Sequence, residues 1–317
     1  LERKVQDLQQ VLEANGYETA RGYWQLFAAE DCKFSLQTVG NCYGNNPTAP
    51  YVLAMLPHWD GEFVDRKLHH VLAAGQRNMT PNYRLGEREA LVILAEIPPP
   101  ARYFGIATNV FTRDENLNEN DPVYQILEAE PELQAIIFGD LPNPDRRMLF
   151  ASIGNSANNV TIEEQSKESW GQQRFFVVTP DEDMAAAMTE ALAGLEGVEA
   201  DHVFVEPVSP DLVRVGYGPE ADDLITYIRY SMPNDDELGE QWRKELPLTI
   251  LRVRVPDDDV ARMPFDIPEY EPKTANTDEH TFAADLANLV AAVKEYWGQD
   301  PTAWSFKSLS LWVDLIG

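Results

Sequence analysis

FFVVTP (175–180) opens a series of six segments that decides the predicted fold. It is followed by DEDMAAAMTEALAGLEG (181–197), HVFVEPVS (202–209), LITYIRYSMP (224–233), DDELGEQWRKEL (235–246) and LTILRVRVP (248–256). The first, third, fourth and sixth segments are apolar runs rich in Val, Ile and Phe, which is typical of strands. The other two begin with acidic residues, which the positive end of a helix dipole favours, and they predict helices. The order of elements is therefore β-α-β-β-α-β.

This order of elements is that of the split βαβ, or ferredoxin-like, arrangement. We expect residues 175–255 to form one four-stranded antiparallel sheet with both helices on one of its faces. Six consecutive elements of suitable length arise by chance less often than any single element, so this region carries the fold prediction.

The rest of the chain predicts a β-rich region and helices near both ends. LERKVQDLQQVLEANG (1–16) has apolar residues at helical spacing and ends at a glycine, as a helix does. Residues 50–112 indicate mainly strands, interrupted by three prolines at 98–100, which cannot donate to a β-ladder. HTFAADLANLVAAVKEYWG (280–298) predicts an amphipathic helix, and AWSFKSLSLWVDLIG (303–317) predicts a terminal strand.

The predicted fold class is therefore α+β. An N-terminal β-rich part, residues 1–170, packs on a ferredoxin-like βαββαβ part, residues 171–317, with N- and C-terminal helices. A chain of 317 residues exceeds the typical domain size of about 100–200 residues, so two domains or one fused domain both fit its length.

The charge balance restricts the classes of partner that the protein can bind. The chain has 53 acidic and 25 basic residues and a formal net charge of −28, which argues against nucleic acid, because such binding relies on Lys and Arg. Prolines and charges interrupt every apolar run well below the roughly 18 residues of a transmembrane helix, so no membrane span is expected. Such a surface keeps a protein soluble in brine or extracellular fluid, or else attracts cationic ligands or Ca²⁺.

The two cysteines, Cys32 and Cys42, lie close together in a loop that contains Gly and Asn. We expect a local disulfide, with two buried free thiols as the alternative. Together with the acidic surface, a disulfide favours a secreted or extracytoplasmic protein, and the alternative location is the cytoplasm of a halophile.

A turn after the predicted strand RRMLFAS (146–152) contains Gly154 and Ser156. It resembles a nucleophile elbow, in which a strand-to-helix turn exposes a serine and offers backbone N–H groups to an oxyanion. Ala157 and Asn158 stand where the second glycine of that motif would be. The alternative is an ordinary Gly-Asn-Ser turn.

A nucleophilic serine needs a base and an orienting carboxylate. His280 is the candidate general base for Ser156, and Glu206 or Asp211 the candidate orienting acid, because these residues follow one another in a chain order known for serine hydrolases. The alternative role for His280 is simply to begin the last amphipathic helix.

Two segments have the composition of metal sites. In DENLNENDP (114–122) the oxygen ligands alternate as at the start of a calcium loop, although its later glycine and acidic residue are missing, and a polar hairpin loop is the alternative. The candidate calcium ligands are Asp114, Asn116, Asn118 and Asp121. In HWDGEFVDRKLHH (58–70) imidazoles and carboxylates lie close together, which fits zinc or ordinary surface histidines. No cofactor is otherwise required.

Aromatic residues in and near ARYFGIATNVF (101–111) predict an apolar ligand pocket, with core packing as the alternative. Its candidate binding residues are Tyr103, Phe104, Asn109 and Trp59.

Two functions are consistent with these features. The first is an extracytoplasmic or halophilic hydrolase, a serine-dependent carboxylic ester hydrolase that acts on an ester or other small-molecule substrate. The second is a non-catalytic secreted ligand-binding or surface-interaction protein. The sequence does not indicate an oligomeric state.

Overall fold

The structure is a computed structural model. It describes residues 1–28, 30–33, 36, 42, 45–46, 49–64, 78–114, 146–153, 157–256, 261–269 and 283–297. Residues 1–269 form one compact unit and residues 270–317 a second one. The described part of the second unit is a single helix, 283–297, most of whose residues are exposed.

The described chain is mixed α and β, and most of its elements are strands. The strands are β1 (Glu18–Arg21), β2 (Tyr23–Leu26), β3 (Tyr51–Pro57), β4 (Met79–Thr80), β5 (Glu89–Glu96), β6 (Ala101–Asp114), β7 (Arg146–Ser152), β8 (Ala157–Asn158), β9 (Gln173–Thr179), β10 (Val203–Pro207), β11 (Asp223–Pro233) and β12 (Leu248–Arg254). The described helices are α1 (Glu2–Ala14), α2 (Asn159–Ser166), α3 (Glu182–Ala193), α4 (Asp236–Glu245) and α5 (Ala283–Trp297).

The strands of residues 1–269 form two sheets. The first has the order β1-β12-β5-β9-β10, and the second has the order β2-β3-β11-β6-β7. Short strands β4 and β8 pair with β3 and β6. Neighbouring strands are antiparallel apart from β9 and β10, which run parallel. Each sheet combines strands from before and after residue 170.

The two sheets pack face to face, and α1 and α3 cover the other face of the first sheet. Strand β5 shows how this arrangement follows from its sequence. Leu91 and Ile93 contact the core between the sheets, while Val92 and Leu94 contact the core beneath the helices. A strand that is buried on both faces needs apolar residues at every position, as in ALVILA.

The predicted helices at the N-terminus and in the region after residue 180 are confirmed. In α1 the side chains of Val5, Leu8 and Leu12 are buried against the first sheet. Helix α3 begins where the Asp181 side chain accepts a hydrogen bond from the backbone N–H of Met184 at 2.9 Å. Asp235 caps α4 in the same way. Such caps satisfy backbone donors that a helix start leaves unpaired.

The expectation of one four-stranded sheet over residues 175–255 is corrected by the structure. The order β-α-β-β-α-β is present along the chain, but β11 lies in the second sheet while β9, β10 and β12 lie in the first. The ferredoxin-like unit is therefore not confirmed. The physical reason is that β9 and β12 are buried on both faces, whereas β11 alternates buried residues with the half-exposed Tyr227 and Arg229. Alternation suits a sheet with one solvated face.

The predicted disulfide between Cys32 and Cys42 is confirmed, with their Cα atoms 5.3 Å apart. Cys42 packs against an apolar cluster on the outer face of the second sheet. None of the helices in the described ranges is both long enough and apolar enough to cross a membrane.

A fully buried arginine connects the first sheet to the loops at one end of the sandwich. The Arg252 guanidinium donates to Glu89 Oε1 at 2.6 Å and to Glu62 Oε2 at 2.7 Å. It also donates to the carbonyl oxygens of Pro57 at 2.8 Å and Arg84 at 2.6 Å. We call Arg252, Glu62 and Glu89 the buried charge cluster, and all three side chains are shielded from solvent.

The two carboxylates of the buried charge cluster have further donors. Glu62 accepts from the backbone N–H groups of Trp59 and Arg84, and Glu89 accepts from the Trp59 indole and the Tyr217 hydroxyl. Burial raises the pKa of Glu62, and the charge of Arg252 opposes that shift. The cluster therefore has the satisfied hydrogen bonding that buried charges require.

We expect Arg252→Met to lower the free energy of unfolding by about 3–5 kcal/mol, because two carboxylates would stay buried without their counter-charge. Arg254→Met is the matched control on the same strand, since Arg254 pairs with the half-exposed Glu18 and should cost less than about 1 kcal/mol. Urea unfolding of both variants measures the difference. Equal losses would show that the cluster does not stabilise the fold.

Candidate functional site

The outer face of the second sheet carries a group of aromatic and polar side chains, some buried and some partly exposed. Along β11, Leu224 and Ile228 point into the core between the sheets, and the alternating Tyr227 and Arg229 point outward. Strand register adds neighbours on both sides, because Tyr51 of β3 and Gly105 of β6 both lie opposite Arg229. We use the term tyrosine face for the outward set Tyr51, Tyr103, Asn109, Phe150, Tyr227 and Arg229.

Three aromatic rings of the tyrosine face, those of Tyr51, Phe150 and Tyr227, contact one another. Tyr51 and Tyr227 meet edge to face with ring centroids 4.9 Å apart, and Phe150 stacks on Tyr227 at 5.8 Å. The Arg229 guanidinium carbon lies 4.2 Å from the centroid of the Tyr51 ring. Edge-to-face rings and a guanidinium over a ring face are favourable arrangements, so these contacts hold the rings in place as a platform.

A glycine makes room for the most exposed ring of the platform. Tyr103 is 41% exposed, and its hydroxyl would lie 2.5 Å from a Cβ atom at Gly105. Any larger residue at 105 would displace the ring, so Gly105 allows Tyr103 to lie along the sheet towards Arg229.

Asn109 is the buried polar residue of the tyrosine face. It is 4% exposed, and its Nδ2 donates to the Phe150 carbonyl oxygen at 3.3 Å. Its Oδ1 atom is buried and accepts no hydrogen bond from the part of the chain that the structure describes. A buried acceptor without a donor costs about 1–3 kcal/mol, so this atom lowers the stability of the fold.

The tyrosine hydroxyls of the face are neutral at physiological pH. Burial raises the pKa of Tyr51 and Tyr103, and raises that of Tyr227 to about 12, while the nearby Arg229 charge opposes each shift. The face therefore offers neutral hydroxyl groups, one amide and one guanidinium.

No protein-family model, curated protein or solved structure matches this chain.

The structure separates the four residues of the predicted aromatic pocket. Tyr103 and Asn109 both lie on the tyrosine face, but six positions apart along β6. Phe104 follows Tyr103 in the same strand, so its side chain points the opposite way and is buried between the sheets. Trp59 lies beside the buried charge cluster, where its ring contacts the guanidinium groups of Arg252 and Arg254.

The predicted serine triad stays a prediction, because Ser156 and His280 lie outside the described residues. Glu206 is buried and accepts hydrogen bonds from the Thr108 backbone N–H at 3.1 Å and the Thr108 hydroxyl at 3.4 Å. It thus connects β10 of the first sheet to β6 of the second. Asp211 is exposed in the connection between β10 and β11.

The predicted calcium site also stays a prediction, since Asn116, Asn118 and Asp121 lie outside the described residues. Asp114 is the last residue of β6, and its backbone carbonyl accepts from Arg214.

Of the other predicted metal cluster, Asp65, His69 and His70 lie outside the described ranges as well. Glu62 belongs to the buried charge cluster, and Asp60 is exposed.

Within the described residues, Glu199, Asp201 and His202 bring potential metal ligands within 4.8 Å of one another. However, His202 Nδ1 accepts the Glu199 backbone N–H at 3.3 Å. A neutral imidazole with an accepting Nδ1 carries its proton on Nε2, so neither nitrogen has a free lone pair. This arrangement argues against a preformed metal site.

Sequence reasoning missed Tyr227, Arg229 and Phe150. The signal for the first two is the alternation in LITYIRY, where an aromatic and a basic residue share one face. Because β11 was expected in a different sheet, that face was not connected with β6.

We expect Asn109→Leu to change the free energy of unfolding by less than about 1 kcal/mol, because it removes an unpaired buried acceptor along with weak donor contacts. Thr108→Val is the matched control from the adjacent position. The Thr108 hydroxyl bonds Thr226 at 2.9 Å as well as Glu206, and its loss should cost about 1–3 kcal/mol. Chemical unfolding compares the two variants, and a larger loss for Asn109→Leu would make Asn109 a structural residue.

Proposed function

We propose that this protein is a ligand-binding protein and that the tyrosine face is its binding site. The observation that carries the proposal is the 41% exposed ring of Tyr103, which lies on the same outer face as the half-buried Tyr227, Phe150 and Arg229. Tyrosine supplies a large rigid contact area at low entropic cost, and a few placed polar groups fix a ligand's orientation.

Binding is favoured over catalysis by the chemistry of the face. Its six residues include no carboxylate, imidazole or thiol, which are the groups that most often act as general acids, bases or nucleophiles. Its tyrosines have raised pKa values and so do not exchange protons near neutral pH.

The loop that carries the disulfide supports one border of the proposed site. Asn45 in this loop donates to the Phe27 carbonyl at 2.9 Å and accepts from the Tyr51 backbone N–H at 3.0 Å. Cys42 packs on the same apolar cluster as Tyr51 and Phe150. A disulfide beside the site fits a protein that works outside a reducing cytosol, so a secreted or extracytoplasmic location is part of the proposal.

Ala107→Trp tests this function without removing any side chain of the face. Ala107 lies opposite Tyr227 and is half-buried, so an indole there should cover the platform. Val205→Trp, at an exposed position in the first sheet, is the control. We expect compounds from a panel of sugars, metabolites and short peptides to raise the melting temperature of the wild type and Val205→Trp but not of Ala107→Trp.

Two results would contradict the proposal. One is a panel that stabilises none of the three proteins, and the other is stabilisation that Ala107→Trp leaves unchanged. Hydrolysis of a chromogenic ester that a serine-directed phosphonate abolishes, and that Ala107→Trp does not affect, would instead support the serine hydrolase.

A further inference from the structure

The last part of the first unit, residues 261–269, lies against the start of helix α3. We call these residues the strap. Met263 attaches the strap through both of its backbone groups. Its N–H donates to Asp181 Oδ2 at 2.8 Å, and its carbonyl oxygen accepts from the Glu182 N–H at 2.7 Å. The strap is therefore docked through its backbone.

Prolines limit how firmly the backbone of the strap is attached. Phe265 adds one more hydrogen bond, from its N–H to the Pro180 carbonyl oxygen at 3.1 Å. Pro264 and Pro268, however, have no N–H to donate. A segment with two such gaps cannot add a regular strand to a sheet. Few backbone hydrogen bonds therefore have to break for the strap to detach.

Arginines on both sides of the contact supply further attachments. Arg88, directly before β5, donates to the Ala261 carbonyl oxygen and lies 3.7 Å from Asp181 Oδ1. Arg262 of the strap pairs with Glu87, and both of these side chains are exposed. Exposed ion pairs contribute little, because water and salt screen them. Arg88, which is only 14% exposed, is therefore the main side chain that holds the strap.

Helix α3 has attachments that do not involve the strap. Asp181 Oδ1 accepts from the Met184 N–H at 2.9 Å and so caps the helix, while Oδ2 of the same carboxylate holds the strap. Met184, Met188 and Leu192 also pack the helix against the first sheet. Both the cap and the packing remain in place when the strap detaches.

We propose that the strap is a latch, which opens while the first unit stays folded and thereby lengthens the chain that leads to the second unit. Two of its larger apolar side chains, Met263 and Ile267, are already 48% and 52% exposed, so opening uncovers little apolar surface. Segments with few buried contacts open at a lower free energy than the whole fold. Released residues 261–269 add up to about 30 Å of extended chain to the connection.

Trypsin digestion of the full chain under native conditions tests the latch, because the docked strap holds the Arg262–Met263 bond by its N–H. The rate of cleavage after Arg262 reports the open population when the strap closes faster than trypsin cuts. We expect Arg88→Met to raise this rate about tenfold or more, since a charge-assisted hydrogen bond is lost. Arg254→Met is the matched control. Arg254 pairs with Glu18 on β1, so its rate should stay within about twofold of the wild type.

Urea distinguishes opening of the latch from unfolding of the first unit. Opening of the strap exposes little surface, so cleavage after Arg262 should depend only weakly on urea. Cleavage after the fully buried Arg252 requires unfolding of β12 and should rise steeply. Mass spectrometry identifies each fragment, and near-ultraviolet circular dichroism checks that each variant folds. If Arg88→Met does not fold, Phe265→Pro replaces it, because it removes a strap N–H, and the same acceleration is expected.

Three results would overturn the proposal. Cleavage after Arg262 that is equally fast in the wild type and in Arg88→Met would show that these contacts do not hold the strap closed. An equal acceleration in Arg254→Met would show that the effect is not specific to the strap. The same urea dependence for cleavage after Arg262 and after Arg252 would show that the strap opens only when the whole unit unfolds.

Discussion

The alternation of side chains along β11 is the constraint on which both the core and the candidate site depend. Leu224 and Ile228 bury their side chains against the first sheet, so the residues between them must point the other way. Tyr227 and Arg229 are consequently held on the outer face by the same backbone that packs the core. A slip of one residue in the pairing of β11 with β6 would bury Arg229 and disperse the tyrosine face.

The buried charge cluster and the tyrosine face differ in a way that separates a structural role from a binding role. In the buried charge cluster, Arg252 and its carboxylates are shielded from solvent and fully hydrogen-bonded. This suits a structural role, in which the cluster attaches loops to the first sheet. The tyrosine face is partly open, with the ring of Tyr103 41% exposed. An exposed aromatic ring beside a guanidinium is the arrangement expected of a binding site, because it offers both stacking and a hydrogen-bond donor to a ligand.

The sequence predicts the local elements better than their arrangement. Helix α1 and the capped starts of α3 and α4 follow from spacing and from Asp181 and Asp235, which act within a few residues. The choice of sheet for β11 depends on its distant partner β6, which local patterning does not specify. The same limit applies to the site: Tyr103 and Asn109 were predicted from one strand, whereas Tyr227 required knowledge of strand pairing. Phe104 could have been excluded, since consecutive strand residues face opposite ways.

The most direct test of a ligand site on the tyrosine face is a crystal structure of the protein with a compound that raises its melting temperature. The account predicts density for that compound over Tyr103 and Tyr227, next to the Arg229 guanidinium. Density at a different surface would contradict it.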